Sequence, residues 1–222
     1  MVHDPRVEAA LAFAGAFVAL ALARRMAIRW YARRAPELLA WSVGMIAFAV
    51  GSAALGWGTA AGWDSRLFRV YYLFGGLLTP PLLAVGSLLL KGRRWAIPVA
   101  YVYTGLAVGT AVSVPLVGHI SGKAIPDAHD HLHFLPARLA AVVGNSAGTL
   151  VVIAAALLTF RWRPLGNLLI VAGMVVASVG SALSGVGLAT AVAATSILLY
   201  AGFAARPSRT IPIIHPARTG EE

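Results

Sequence analysis

Cysteine is absent from this chain, which removes disulfides and thiolate metal ligands from any reading of it. Charge is scarce as well. Asp, Glu, Lys and Arg make up 12% of the 222 residues, about half the share (roughly 25%) of an ordinary soluble domain. Lysine occurs only at Lys91 and Lys123, both outside the apolar runs. Those runs hold no Asp, Glu or His at mid-depth, where proton pumps and proton-coupled carriers place them. Active proton coupling is therefore disfavoured.

What is present is apolar sequence, 59% of the chain. It comes in runs of about 20 residues, the length a helix needs to cross a bilayer. Seven runs are expected as spans: Val7–Ala23, Leu38–Thr59, Leu67–Leu90, Trp95–Val117, Leu139–Phe160, Gly166–Ser184 and Leu188–Ala205. The fold class is all-α, a seven-transmembrane-helix bundle in one domain over residues 1–205, with a Pro-rich cytoplasmic tail over 206–222. In the third run, Thr79-Pro80-Pro81 should kink the helix, because proline donates no backbone N–H and crowds the preceding turn.

The net charge of +10 could point to nucleic acid, but in a membrane protein the placement of Lys and Arg matters more than their sum. Thirteen of the eighteen basic residues fall in one set of loops, led by Arg24, Arg25, Arg29, Arg33 and Arg34. That side is expected in the cytoplasm, against anionic lipid. The N-terminus and the polar loop Gly118–Arg138 are then outside, the C-terminus is inside, and no nucleic-acid partner is expected. A homo-oligomer or a membrane-complex partner remains open.

Gly44–Gly58 (GMIAFAVGSAALGWG) aligns with Gly173–Gly187 (GMVVASVGSALSGVG), identical at eight of fifteen positions. Both stretches run in the same direction across the bilayer, as a parallel 3+1+3 repeat of helices 1–3 and 5–7 requires. Small residues at four-residue spacing recur as Ser52/Gly56, Ser181/Gly185, Gly105/Gly109 and Gly144/Gly148. Such pairs let helix backbones approach closely in lipid. The 3+1+3 plan is similar to that of sugar-transporting and PQ-loop membrane proteins, and in outline to that of microbial rhodopsins. The chain departs from both: no Pro-Gln pair occurs, and a retinal Schiff base is excluded because neither lysine lies within a helix of the bundle.

Three groups of residues carry candidate chemistry. In the polar loop, His129, His131 and His133 alternate with Asp130, and Asp127 and His119 are near. Alternate residues of an extended segment share a side, and imidazole with carboxylate suits Zn or Cu. The spacing matches no standard zinc signature, and a hydrated loop is the competing reading. At the same outer level, Glu8, Asp64, Arg69 and Arg138 form an expected ion-pair network or an anion pocket. Within the bundle the polar groups are neutral, and Asn145, Thr79, Tyr103 and Thr110 are candidates for a solute path, against the commoner role of holding helices together.

No catalytic signature is present. The residues favour a passive transporter or facilitator of a small polar solute. A non-catalytic receptor, sensor or accessory subunit comes second, and a metal-binding membrane enzyme using the His/Asp loop third.

Overall fold

The structure, a computed structural model, describes residues 4–116, 118, 120–126 and 135–205. All of its regular structure is helical, and each break in the chain has a local cause. Helix α1 (Pro5–Arg33) starts on Asp4, whose carboxylate accepts from the Arg6 amide. It runs well past Ala23 because nothing in Arg24–Arg33 stops a helix; it ends where Arg34 turns left-handed (φ 53°) ahead of Pro36. Helix α2 (Pro36–Ala61) is followed by α3 (Ser65–Tyr71), started by Asp64. A π-helical segment, Tyr72–Leu78, then joins α3 to α4 (Thr79–Leu90) in one continuous rod.

Helix α5 (Ala96–Ser113) ends sooner than its apolar run. Val114 precedes Pro115 and is forced into extended conformation (ψ 123°), so the helix stops there. Helix α6 spans Leu135–Leu158, α7 spans Pro164–Gly180 and α8 spans Gly185–Ala204. Six of these rods are long and apolar enough to cross a bilayer, as expected of a multi-pass membrane protein. Helix α7, at 17 residues, is the short one. It rises about 26 Å, slightly less than a hydrocarbon core of roughly 30 Å.

Six rods close a ring: α1 against α2, α2 against α3–α4, α4 against α6, α6 against α7, α7 against α8, and α8 back against α1. Helix α5 stands outside it, leaning on α3–α4 and lightly on α6. Glycines set the tightest joints. A Cβ on Gly51 would lie 2.8 Å from the Gly75 amide nitrogen, so α2 and the π segment meet backbone to backbone. Gly86 leaves a notch for the Trp41 indole, whose Nε1 donates to the Leu83 carbonyl (3.2 Å).

The end carrying the basic loops is filled by Trp41, Met45, Met174, Ile170 and Leu199, all buried, with the Phe203 ring tilted against Trp41 at 5.0 Å between centroids. Here the half-buried Arg163 guanidinium reaches the last carbonyls of α8, donating to Gly202 (3.1 Å), Phe203 (3.3 Å) and Ala205 (2.8 Å). Burial, then the neighbouring Arg29, lowers its pKa from the ordinary arginine value. At the opposite end, Trp63, Phe68 and Ile120 are buried together. The Trp63 amide donates to the Gly122 carbonyl at 2.8 Å, tying the segment after α5 across this end of the ring.

The glycines separate clearly in what they predict. Gly51→Ala drives a methyl into backbone and should cost about 1–3 kcal/mol. Gly109→Ala, with nothing described within 4 Å of its Cβ position, should be neutral or slightly stabilising. Thermal midpoints in detergent check this.

Candidate functional site

Pro80 and Pro81 shape the centre of the molecule. Without their N–H groups, the Gly76 carbonyl has no donor in either helical register. An α-helix would use residue 80 and a π-helix residue 81. The Leu77 carbonyl loses its α partner, residue 81, for the same reason. Side chains from two other helices supply the missing donors. Asn145 Nδ2 on α6 donates to Gly76 O (2.8 Å), and Tyr103 Oη on α5 donates to Leu77 O (2.9 Å). Thr79 Oγ1 closes the π segment on Phe74 O at 2.7 Å. Two glycines on α6 make room. A Cβ on Gly148 would fall 2.7 Å from the Pro80 carbonyl carbon, and one on Gly144 would strike the Tyr103 hydroxyl.

The widened rod borders a cavity of about 680 Å³ inside the ring, within the usual ligand-site range (roughly 300–1,000 Å³). Helices α2, α3–α4, α6, α7 and α8 line it, while α1 and α5 contribute nothing to the wall. Its surface is mainly apolar, with Phe48, Leu55, Leu83, Met174 and Leu199 prominent, and none of its described lining residues is charged. The polar groups are hydroxyls and one amide. Several of the hydroxyl protons are already used within the protein: Ser52 donates to Phe48 O (2.8 Å), Ser178 to Met174 O (2.9 Å), Ser181 to Ser178 O (2.7 Å) and Thr195 to Gly173 O (3.4 Å). Their oxygens remain as acceptors. Asn145 Oδ1 is buried with no hydrogen-bond partner, a costly arrangement for a polar atom.

The expected solute-path residues therefore divide. Thr79 and Asn145 line the cavity. Tyr103 stitches α5 to the π segment, and Thr110 lies beside Arg69 and Phe68 in a small crevice on α5. Neither reaches the central space. Among the small-residue pairs, Gly56 lies against the Phe13 ring (3.0 Å from its Cβ position) and Ser52 lines the cavity. Gly144 and Gly148 receive Tyr103 and Pro80 as described. Gly105 and Gly109 approach no described residue within 4 Å. Ser181 and Gly185 do not share a helix face. The helix that was expected to run to Ser184 ends at Gly180, and Gly185 starts α8 at positive φ (58°).

The outer charged residues serve separate ends. Asp64 caps α3, accepting from the Arg66 and Leu67 amides (both 2.8 Å). Arg69 donates to the Ala111 carbonyl at the close of α5, a cation on a helix C-terminus. Glu8 is buried in the first turn of α1, at the positive end of the helix dipole. The Arg138 side chain, His119, and the loop residues Asp127, His129, Asp130, His131 and His133 lie outside the described residues, as does the tail. Among the described residues no cluster of three or more His, Asp or Glu is placed to hold a metal ion.

No family model, curated protein or solved structure matches the chain.

Sequence reasoning marked Asn145 as a residue of interest, but missed Pro80 as the reason. The signal was available: two adjacent prolines within a helix leave carbonyls for other side chains to satisfy. Gly148→Ala should push α6 off Pro80 and weaken the Asn145 bond as well. The expected cost is about 1–3 kcal/mol, read as a lowered unfolding midpoint in detergent.

Proposed function

We propose that this membrane protein is a passive transporter or facilitator of a small uncharged solute, held in the central cavity. The observation that carries the reading is the cavity itself: enclosed by five rods, without a charged group among the described lining residues, and supplied with acceptor oxygens. A buried space without countercharge penalises ions and accepts neutral molecules. The absence of Asp, Glu and His from the described lining residues fits movement down a gradient.

The proposal includes a parallel repeat of three helices around a linker, α5. Contacts across the ring support it. Gly44 meets Leu83 between α2 and α4, and Gly173 meets Leu199 between α7 and α8. Gly51 meets Gly75 as Gly180 meets Ala191, and Gly86 admits Trp41 as Gly202 admits Ile170. One shift of 129 carries every α2–α7 partner across, and one shift of 116 carries every π/α4–α8 partner. The cavity wall follows the same relation, with Tyr72, Gly75, Gly76, Thr79 and Leu83 facing Leu188, Ala191, Val192, Thr195 and Leu199. With the basic loops in the cytoplasm, the end filled by Trp41 and Phe203 is the inner one and the cavity lies towards the outer half, below the Trp63–Phe68–Ile120 group.

Vesicles containing the protein provide the test. The uncharged probes are glycerol, followed by light scattering, and a fluorescently tagged monoacylglycerol, followed by dithionite quenching. Glycerol 3-phosphate and a tagged lysophosphatidate are their charged counterparts. At least one uncharged probe should cross faster than in empty vesicles, its charged counterpart should not, and Thr195→Phe should remove the gain. Equal rates with and without protein, or equal transport of charged and uncharged probes, would overturn the proposal.

A further inference from the structure

The ring's joints are unequal, and the difference indicates how the cavity is reached. Under the repeat relation the α6–α7 joint corresponds to α1–α2, yet α1 and α2 are the most closely packed pair in the molecule and α6 and α7 touch sparingly. Along the bundle axis both ends are filled among the described residues, one by the Trp41–Phe203 group and the other by Trp63, Phe68 and Ile120. Four of the described cavity-lining residues stand exposed: Ser146 and Leu150 on α6, Ser178 just before the end of α7, and Ser181 in the turn that follows it. Leu150 is 66% exposed at the middle of a membrane-crossing helix. The surface flanking this gap is apolar, with Val143 on α6 and Val175 and Val179 on α7 exposed. A gap with such a rim, at that depth, opens on lipid rather than on water.

The wall also narrows the chemistry of the guest. Its deep oxygens, including the unpartnered Asn145 Oδ1, can accept hydrogen bonds. The protons of Ser52 and Thr195 are spent on backbone carbonyls, and one Asn145 amide proton is donated to the Gly76 carbonyl. At those three residues a guest is best met by donating, as an alcohol does, while the Tyr71, Ser146 and Thr149 hydroxyls that also line the wall can meet an alcohol's oxygen. Most of the remaining wall is hydrocarbon, which rewards an apolar body.

Resting on the proposed transport role, we infer that the solute is a neutral amphiphile with a hydroxyl-bearing head, and that it reaches the cavity sideways from the bilayer through the gap between α6 and α7. The head sits against Asn145, and the apolar body trails towards Leu150 and the gap.

The lack of native cysteine makes the doorway directly testable, since any introduced thiol is unique. Single-cysteine variants Leu150→Cys and Ser178→Cys are made in the full chain, with Lys91→Cys as a water-exposed control. In vesicles, membrane-soluble pyrenylmaleimide should label Cys at 150 and 178, a charged methanethiosulfonate should label only the control, and untagged monoacylglycerol should slow the first reaction. Ser146→Trp and Ser178→Trp, both at exposed positions that tolerate bulk, should reduce monoacylglycerol transfer to the empty-vesicle rate without lowering the unfolding midpoint. If the charged reagent labels 150 and 178 as readily as it labels the control, or if transfer survives both tryptophans, sideways access is wrong. If glycerol crosses and monoacylglycerol does not, the amphiphile is wrong while the transport role stands. If neither crosses, both readings fail.

Discussion

Two missing hydrogen-bond donors determine much of this architecture. In lipid a backbone carbonyl has no water to turn to, so a proline pair inside a spanning helix requires partners from elsewhere in the protein. Gly76 and Leu77 obtain them from α6 and α5. Each donor imposes its own geometric demand. Asn145 reaches Gly76 because Gly148 allows α6 to lie on Pro80, and Tyr103 reaches Leu77 because Gly144 leaves space for its hydroxyl. The prolines thus position three rods at once, and the π segment between them widens one wall of the cavity. Segments of this kind recur at functional sites in helical proteins.

The remaining rods are held by means suited to a medium in which apolar burial gives little drive to association. Backbones meet at glycines, indole and isobutyl groups fill glycine notches, and hydroxyls turn back onto their own helices. Those internal bonds leave the Ser52 and Ser178 oxygens of the cavity wall free to accept but not to donate. Arginine is used at helix ends, Arg69 on α5 and Arg163 on α8, where a permanent cation meets carbonyls that no longer have helical partners. None of these features requires a titrating group inside the bundle.

Much of the helix plan was legible in the sequence, because apolar run length and the positions of proline and glycine are local properties. The stop at Val114–Pro115 is readable from two residues. By contrast, the sequence treats Gly105/Gly109 and Gly144/Gly148 alike. The first pair faces open space and the second fixes two contacts, since the motif specifies a permissive surface and not its partner. Arg69 was expected in an outer ion network, whereas its hydrogen bond goes to a carbonyl 42 residues away. That outcome depends on where α5 ends in space. The cavity has no sequence signature of its own. It arises where the α6–α7 joint fails to match the tightness of α1–α2, and no periodicity reports that.

The coupling between Pro80 and Asn145 tests the central claim most directly. Unfolding free energies would be measured for the wild type, Asn145→Val, Pro80→Ala and the double variant, in one detergent. With Pro80 present, Asn145→Val should cost on the order of 1 kcal/mol, the upper range for a polar contact between membrane helices. With Pro80→Ala the Gly76 carbonyl regains an N–H from its own helix, so the same substitution should cost almost nothing, giving a coupling energy of similar size. Additive effects would mean that Asn145 does not replace the donor that proline removes, and the account of the bundle's centre would be wrong.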